Sequence, residues 1–432
     1  MANVGRTFTH TLLTSAAIGA LASGAFAGGF AVREQSTLHQ GASFAGNGAG
    51  SSLSTMFWNS AAAAFAPSGL STDSNYAAII ADSEITAQPG TTPALLGLNN
   101  SSGDIAKDAI VPASYTAYRL NDKAVLALGI NSPFGLVTEP ENPNWAGRNF
   151  ARTSSIKTYN FNPTLGYMLT PTLAVGAGVQ IQYIDATLKQ AGPGAVGFQS
   201  IAVEGDDIGV GFTLGVMWQP HNGTSLGLGF RSAIEHTLEG TISVVTGALP
   251  TRNIKADVTL PEIVTLSLRQ ALDPKWTLLG TVEWSNWSQV DKLDIVCQGG
   301  PAALCPTGTN TIALGWHDGW MFSLGAEYAY SQQLTLRGGL AYEISPIQNP
   351  SERTPRVPDS DRIWASIGAS YALSPATTLD FAYTHIFVDD ARIDRTEAPL
   401  RLVGNVDASV DIVSVGLRYK FGERGSAPAP LK

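Results

Sequence analysis

The residue types that usually carry catalysis or metal binding are few and scattered along this chain. Its six histidines show no metal-ligand spacing, and its two cysteines, Cys297 and Cys305, do not form a CxxC pair. No GxSxG elbow, phosphate-binding loop or dinucleotide fingerprint occurs. We therefore predict no enzyme activity, no cofactor and no metal site.

Most of the chain instead alternates between apolar residues and small or polar ones with a period of two, which predicts strands. Residues 208–218 are typical, because isoleucine, valine, phenylalanine, leucine and tryptophan alternate there with glycine, threonine and methionine. Only 14% of the 432 residues are charged, against about 25% in soluble domains. The net charge of −9, from 26 basic and 35 acidic residues, argues against a nucleic-acid partner.

The strands of a soluble β-sandwich also alternate between apolar and polar residues. The lengths of the connections between strands distinguish such a sandwich from a membrane barrel. Tight links follow the even-numbered strands, and long loops follow most odd-numbered ones, as in outer-membrane barrels. The sequence therefore predicts an all-β protein, a closed 14-stranded antiparallel transmembrane β-barrel in the bacterial outer membrane. The predicted strands are 75–88, 109–120, 124–134, 152–169, 172–189, 207–219, 224–240, 254–271, 275–290, 317–331, 333–345, 361–373, 376–390 and 408–421.

Residues 1–27 have the pattern of a secretory signal peptide. Arg6 supplies a positive charge, an apolar core follows, and small residues at Ala25 and Ala27 predict cleavage after Ala27. The apolar core is too short to span a bilayer as a helix. Export to an oxidising compartment favours a disulfide between Cys297 and Cys305, with two free thiols as the alternative.

Residues 28–70 are rich in small residues and do not alternate, yet they contain several aromatic side chains that a solvated tail would not carry. Short helical pieces packed inside the lumen would bury these side chains, which predicts an N-terminal plug; a free periplasmic tail is the alternative. The barrel then occupies residues 71–421. The polar, proline-containing residues 422–432 predict a disordered periplasmic tail.

Several stretches resemble the FadL-type outer-membrane transporters of long-chain fatty acids and other hydrophobic compounds (the OMPP1/FadL/TodX family). They include GFAVREQSTLHQGASFAGNGAG at 29–50, SPFGLVTEPENPNWAGRNFA at 132–151, VEWSNWSQV at 282–290 and VPDSDRIWASIGASY at 357–371. Each motif is weak alone, but their order and spacing together are specific.

This resemblance implies a monomeric barrel plugged by an N-terminal hatch. Such a barrel takes up long-chain fatty acids or similar hydrophobic molecules passively and releases them sideways into outer-membrane lipid. Aromatic or alkane hydrocarbons are the alternative substrates, and a general porin is a weaker reading of the same fold.

The resemblance also implies a lateral opening at a kink in the third strand. Pro133 donates no ladder hydrogen bond and Gly135 weakens a strand, so the kink is expected at Ser132, Pro133, Phe134 and Gly135. Alternatively, the strand simply ends at Ile130.

The matching hatch positions are Phe30, Glu34, Gly41, Asn59 and Ala61. Ser60 replaces the proline of the family's Asn-Pro-Ala, which removes a fixed φ angle. Asn59 is expected either to bond backbone groups exposed at the kink or to cap the helix that the following alanines suggest.

A buried fatty-acid carboxylate would need a cation, and an apolar tail would need an exposed apolar surface for its first capture. Four candidate lumen cations could equally belong to structural ion networks with acidic neighbours: Arg337, Lys189, Arg231 and Arg362. The candidate capture residues lie in two long loops: Phe198, Ile201, Val203, Val244 and Val245.

Overall fold

The computed structural model describes residues 28–50, 52–192, 200–246, 249–301 and 303–421. In these ranges no helix is long and apolar enough to cross a membrane. Strands account for most of the described chain, and all of them belong to one antiparallel sheet.

The sheet closes on itself, because β1 pairs with β21 along its length, from Ser71 opposite Lys420 to Ala87 opposite Gly404. The strands in the described ranges are β1 (Leu70–Ala87), β2 (Ser101–Asp104), β3 (Ala109–Arg119), β4 (Ala124–Asn131), β5 (Gly135–Thr138), β6 (Thr153–Thr170), β7 (Leu173–Ala191), β8 (Ser200–Trp218), β9 (Thr224–Arg231), β10 (Ile234–Val244), β11 (Arg252–Leu260), β12 (Ile263–Ala271), β13 (Trp276–Ser285), β14 (Lys292–Cys297), β15 (Thr309–Ala313), β16 (Gly319–Ala329), β17 (Leu334–Ile344), β18 (Arg362–Ser374), β19 (Thr377–Val388), β20 (Ala391–Glu397) and β21 (Leu400–Lys420).

These segments make up fourteen barrel strands, as the sequence predicts. Three barrel strands are interrupted and consist of two segments each: β4 with β5, β9 with β10, and β11 with β12. The short strands β2, β14, β15 and β20 lie in or beside the long connections.

Several strands run further than predicted, and β8 and β21 do so most. β8 begins at Ser200 rather than 207, and β21 begins at Leu400 rather than 408. The extra residues pair in hairpins with β7 and β20, so the strands continue beyond the length that a bilayer requires. The long loops are therefore partly β-structure, and the opposite end of the barrel carries only tight turns.

The two faces of the barrel wall differ in chemistry. On β16, Leu324 is 74% exposed, whereas its neighbour Ser323 is 2% exposed and points inward. The same pattern repeats around the barrel, with exposed leucine, isoleucine, valine and aromatic side chains on the outside. Such an apolar outer face is what hydrocarbon requires of a transmembrane barrel.

The residues from 28 to 66, here called the N-terminal segment, are almost all buried among those described. The segment contains a one-turn α-helix, Thr37–Gln40, and two 3-10 helices, Leu53–Phe57 and Ser60–Phe65. Its backbone N–H groups donate to inward side chains of several barrel strands, such as Gly46 to Thr281 at 2.9 Å and Gly48 to Ser267 at 2.9 Å.

Glycines on the inner wall make this packing possible. A Cβ atom on Gly229 would lie 1.7 Å from the carbonyl oxygen of Trp58, and one on Gly227 would lie 1.8 Å from that of Gly48.

At the C-terminal end of the segment, Arg119 of β3 donates to the carbonyl oxygens of Ala64 at 2.7 Å and Ala66 at 2.9 Å. The last residues of the segment are thus clamped beside the start of β1.

Replacing Gly229 with alanine tests this close approach. Because the new methyl group would displace the Trp58 backbone, we expect G229A to weaken the packing of the segment by about 1–3 kcal/mol. Hydrogen–deuterium exchange of residues 52–60 should speed up accordingly. The matched control is G280A, since the nearest atom to a Cβ there is 3.8 Å away; equal exchange in both variants would contradict the prediction.

Candidate functional site

The barrel wall has a break in its hydrogen-bond ladder where the sequence predicts the kink. Pairing between β3 and β4 stops at Ser114 opposite Ile130, and the next bridge joins Ala106 to Thr138. Among the described residues, no β-pairing joins residues 107–113 to residues 131–137. We call this stretch of wall the lateral window.

Three predicted kink residues, Ser132, Pro133 and Phe134, lie between β4 and β5, outside both strands, and Gly135 begins β5. On the side away from the window, the Thr158 hydroxyl of β6 replaces ladder bonds: it accepts from the Phe134 amide at 3.0 Å and donates to the Phe134 carbonyl at 2.6 Å. Because Pro133 has no amide hydrogen, a regular ladder cannot continue through this point.

The start of the N-terminal segment occupies the edge of the lateral window. The Val32 amide donates to the Pro133 carbonyl at 2.8 Å, and the Gly135 amide donates to the Phe30 carbonyl at 2.9 Å. Ala31 and Phe134 form an antiparallel bridge. Residues 30–32 therefore act as a short strand that satisfies wall groups which β3 leaves unpaired.

Side chains strengthen this closure. The Gln35 side chain donates to the Ser132 carbonyl at 2.8 Å and accepts from the Ser132 amide at 3.3 Å. The ring of Phe30 packs edge-on against Trp287 and Phe134, with ring centroids 4.8 Å and 6.1 Å away. An apolar aromatic cluster thus lies directly behind the lateral window.

A second feature is an apolar cavity of about 580 Å³ at the end of the barrel that carries the long loops. It lies among β7, β8, β10 and the connection that contains β14 and β15, and we call it the extracellular cavity. Three predicted capture residues, Ile201, Val203 and Val244, line it. Val245 is exposed and does not line the cavity, and Phe198 lies outside the described residues. The other apolar lining residues include Leu188, Ile242, Leu249, Ile295, Leu304 and Ile312, and the polar lining includes Asn310, Thr311 and the carboxylate of Glu397.

One cation, Arg356, faces this cavity, and the sequence reasoning missed it. Arg356 is 7% exposed and donates to neutral acceptors: the Ser154 hydroxyl at 3.2 Å, the Lys189 carbonyl at 3.3 Å and the Gln190 side chain at 2.6 Å. No carboxylate among the described residues lies within ion-pair distance of it. Burial lowers the pKa of Arg356, and the field of Glu397 opposes that shift; the guanidinium stays charged at neutral pH.

Two of the four predicted lumen cations lie in buried ion networks. Arg337 lies 3.5 Å from Glu327 and 4.0 Å from Asp380. Arg362 contacts Asp359 and lies 3.7 Å from Glu343. Both charges are already compensated by carboxylates, which is the structural role that the sequence left open.

The other two cations occupy different surroundings. Arg231 is buried, donates to the Phe57 carbonyl at 3.0 Å and lies over the Phe57 ring at 4.4 Å from its centroid. It therefore holds the N-terminal segment. Lys189 is partly exposed on β7, and its backbone carbonyl is the part that contacts Arg356. The structure does not bring the four predicted cations together.

Asn59 caps the second 3-10 helix, since its side-chain oxygen accepts from the Ala61 amide at 3.0 Å. Its amide group donates to the carbonyls of Gly48 at 2.7 Å and Val216 at 3.0 Å. Of the two readings for Asn59, the structure shows the cap and not the contact with the kink. The hatch position Gly41 packs against Gly368 of β18, because a Cβ there would lie 2.9 Å from the Gly368 Cα atom.

Cys297 and Cys305 are joined by a disulfide. The bridged loop contributes Leu304 to the wall of the extracellular cavity.

The fold identifies the general class of protein to which the chain belongs. A closed β-barrel with an apolar outer face, tight turns at one end and long loops at the other is an integral protein of the bacterial outer membrane. Residues 18–421 match the model of the family described as outer membrane protein transport protein (OMPP1/FadL/TodX). The chain belongs to this family of outer-membrane transporters of hydrophobic compounds.

Relatives and solved structures agree with this assignment. The long-chain fatty acid transport protein of Escherichia coli is 24% identical over 351 residues, covering 71% of this chain and 76% of that protein. The 47 kDa outer membrane protein of Pasteurella multocida is 24% identical over 448 residues, covering 96% and 99%.

Two solved structures show the same fold. A Pseudomonas aeruginosa FadL homologue has a TM-score of 0.80 at 24% identity, covering 91% of this chain and 100% of that chain. The Pseudomonas putida toluene transporter TodX has a TM-score of 0.65 at 16% identity, covering 91% and 100%.

Glu34, a predicted hatch residue beside the lateral window, is an unusual buried acid. It is 2% exposed, and neither of its carboxyl oxygens has a hydrogen-bond partner among the described residues. Burial raises the pKa of Glu34 from 4.5 to about 7, although Arg33 and nearby amide groups oppose the shift.

The packing of the N-terminal segment should therefore depend on pH. Between pH 4.5 and about 7 the packed state binds more protons at Glu34 than the displaced state does, so packing weakens as pH rises through this range. We expect hydrogen–deuterium exchange of residues 29–35, corrected for its intrinsic pH dependence, to be at least tenfold faster at pH 8 than at pH 5. E34Q should abolish this dependence; an unchanged profile in E34Q would refute the assignment to Glu34.

Proposed function

We propose that this barrel takes up hydrophobic molecules passively and releases them sideways into the outer membrane. Ligand enters the extracellular cavity, passes toward the aromatic cluster around Phe30 and leaves through the lateral window when residues 30–32 move away from its edge. The observation that carries this proposal is the ladder break between β3 and residues 131–137, which the N-terminal segment covers and no barrel strand does.

The direct hydrogen bonds at the window edge are few, and the buried ion pairs of Arg33 with Glu283 and Glu343 hold the stretch beside them in place. Two backbone hydrogen bonds and the Gln35 side-chain pair join the segment to the window edge. Each such bond contributes about 0.5–1.5 kcal/mol net. A hydrophobic ligand that replaces the apolar contacts of Phe30 can offset that loss, so ligand binding can shift the segment without an external energy source.

The substrate class that the cavity favours is an amphiphile with an anionic head, such as a long-chain fatty acid. The cavity walls would bury an apolar tail. At one wall Arg356 supplies a buried charge that carbonyl and amide dipoles hold in place, and a carboxylate would pair with it. The Escherichia coli relative is named for long-chain fatty acids, which agrees with this reading.

Aromatic or alkane hydrocarbons remain the alternative substrates, because most of the cavity wall is apolar and needs no charge on the ligand.

For either substrate, the segment from 28 to 70 acts as the hatch of a monomeric barrel and the residues from 71 to 421 act as the barrel. The surrounding lipid is the acceptor of the released ligand. A general porin is the weakest reading, since the N-terminal segment packs across the inner wall.

A disulfide between Cys residues introduced at Ala31 and Phe134 tests lateral release. The two residues form an antiparallel bridge, and such Cα pairs are about 4.5–5.5 Å apart, within the range a disulfide spans. In cells that express the A31C/F134C variant, we expect oxidation to reduce ligand uptake at least tenfold and a reductant to restore it. The single variants and the unmodified protein, treated with the same reductant, are the controls; full uptake by the cross-linked barrel would exclude exit through the window.

Replacing Arg356 tests the substrate class. Loss of a buried hydrogen bond to a charged group costs about 1.5–3 kcal/mol. R356Q should therefore weaken oleate binding at least tenfold and leave toluene binding unchanged, as measured by titration of the purified barrel. R252Q, at an exposed arginine of the same end, is the matched control. Unchanged oleate affinity in R356Q, together with toluene uptake, would favour the hydrocarbon alternative.

A further inference from the structure

The backbone nitrogens of Gly28 and Gly29 both donate to buried carboxylates. Gly28 is buried, and its nitrogen donates to Glu343 Oε1 at 3.0 Å. The next nitrogen, that of Gly29, donates to Asp359 Oδ2 at 2.9 Å. Both acceptors are carboxylates with exposures of 1% and 2%, so two consecutive main-chain nitrogens point into a buried acidic site.

The charges around this position do not balance. Two guanidiniums form ion pairs here: Arg33 contacts Glu283 and lies 2.9 Å from Glu343, and Arg362 contacts Asp359 and lies 3.7 Å from Glu343. We call these five residues the amino-terminal ion cluster. Among the described residues, no third cation forms an ion pair with its three carboxylates; the nearby Arg353 guanidinium donates to the main-chain carbonyl of Asp359 at 2.6 Å instead. The ion-paired groups therefore carry one negative charge in excess. Ionisation of neighbouring Glu34 would only add to that excess.

An uncompensated charge in a buried site is expensive. A neutral peptide N–H at Gly28 donates a hydrogen bond but brings no charge. A free α-amino group at the same nitrogen would bring one positive charge and three donors. The sequence independently predicts that cleavage after Ala27 creates such a group at Gly28.

We propose that the α-ammonium group of the processed chain, at Gly28, is the third cation of the amino-terminal ion cluster and binds between Glu343 and Asp359. The residue type at this position agrees with that role. A Cβ on Gly28 would lie 2.5 Å from Glu343 Oε1, so only glycine lets the nitrogen approach the carboxylate without moving it.

This ion pair anchors the residues that cover the lateral window. Phe30, whose carbonyl accepts from Gly135, is two residues from Gly28, and Arg33 of the same stretch donates to the same oxygen of Glu343. Removal of the signal peptide thereby secures the first residues of the N-terminal segment. This role concerns the chain's own amino group and holds whatever the transported molecule is.

The test moves the terminal α-ammonium group away from the amino-terminal ion cluster without changing any side chain of the cluster. Gln-Thr is inserted between Ala27 and Gly28 in the full exported chain, so that cleavage after Ala27 leaves a neutral amide at Gly28. Mass spectrometry checks the mature terminus of each protein, and heat-modifiable migration on gels checks that each barrel is folded. The readout at pH 7 is the rate at which a maleimide labels Cys introduced at Ala31, a residue that is 6% exposed.

We expect the insertion to speed labelling at least tenfold. Glu283→Gln removes one negative charge from the cluster, so it should slow labelling in the insertion variant and speed it in the protein with a normal terminus. This reversal of sign follows from charge balance, whereas a purely steric effect of the insertion gives the same direction in both backgrounds. A mature chain that does not begin at Gly28, an insertion without effect, or an effect that Glu283→Gln does not reverse would each overturn the proposal.

Discussion

Hydrocarbon offers no partner to a backbone N–H or C=O group, so a chain that crosses it must satisfy every such group from within. Pairing of β1 with β21 meets this requirement by leaving the sheet without an edge. The lateral window is the place where the barrel strands fail to do so, and there Phe30 and Val32 supply the missing partners. The N-terminal segment is therefore part of the wall as well as part of the interior, and the other features of the molecule follow from this double position.

Buried charges in this protein are of two kinds. Arg337 and Arg362 have carboxylates beside them, and such pairs, once desolvated, hold elements in place because separating them leaves a bare charge. Arg356 is held by dipoles alone. Dipoles position a guanidinium without neutralising it, so its field remains available to a mobile anion. Arg231 also has neutral acceptors, but it lies against Phe57 of the N-terminal segment; Arg356 combines neutral acceptors with a position on the wall of a cavity, which suits it to a ligand.

Sequence periodicity was sufficient for the barrel because lipid imposes a strict alternation, and Pro133 marked the ladder break because its chemistry is local. The same reasoning placed Arg337 inside among acidic neighbours that included Glu327, but it could not supply Asp380 as a partner, because Asp380 lies on β19, which is not paired with the strand of Arg337. Arg356 was missed because it lies in a long connection whose path depends on packing. The strand starts at Ser200 and Leu400 were missed because hairpin pairing above the membrane needs no apolar outer face.

The hydrogen bonds from Arg119 to the carbonyls of Ala64 and Ala66 have a consequence for the permeability barrier of the cell. They tie the last residues of the N-terminal segment to the wall, while the glycine contacts at Trp58 hold the middle. The residues that hydrogen-bond to the edge of the lateral window, Phe30 and Val32, lie ahead of the helix at Thr37. In the proposed route, a hydrophobic solute displaces only these few residues, and the rest of the segment stays in place as a barrier to water-soluble molecules.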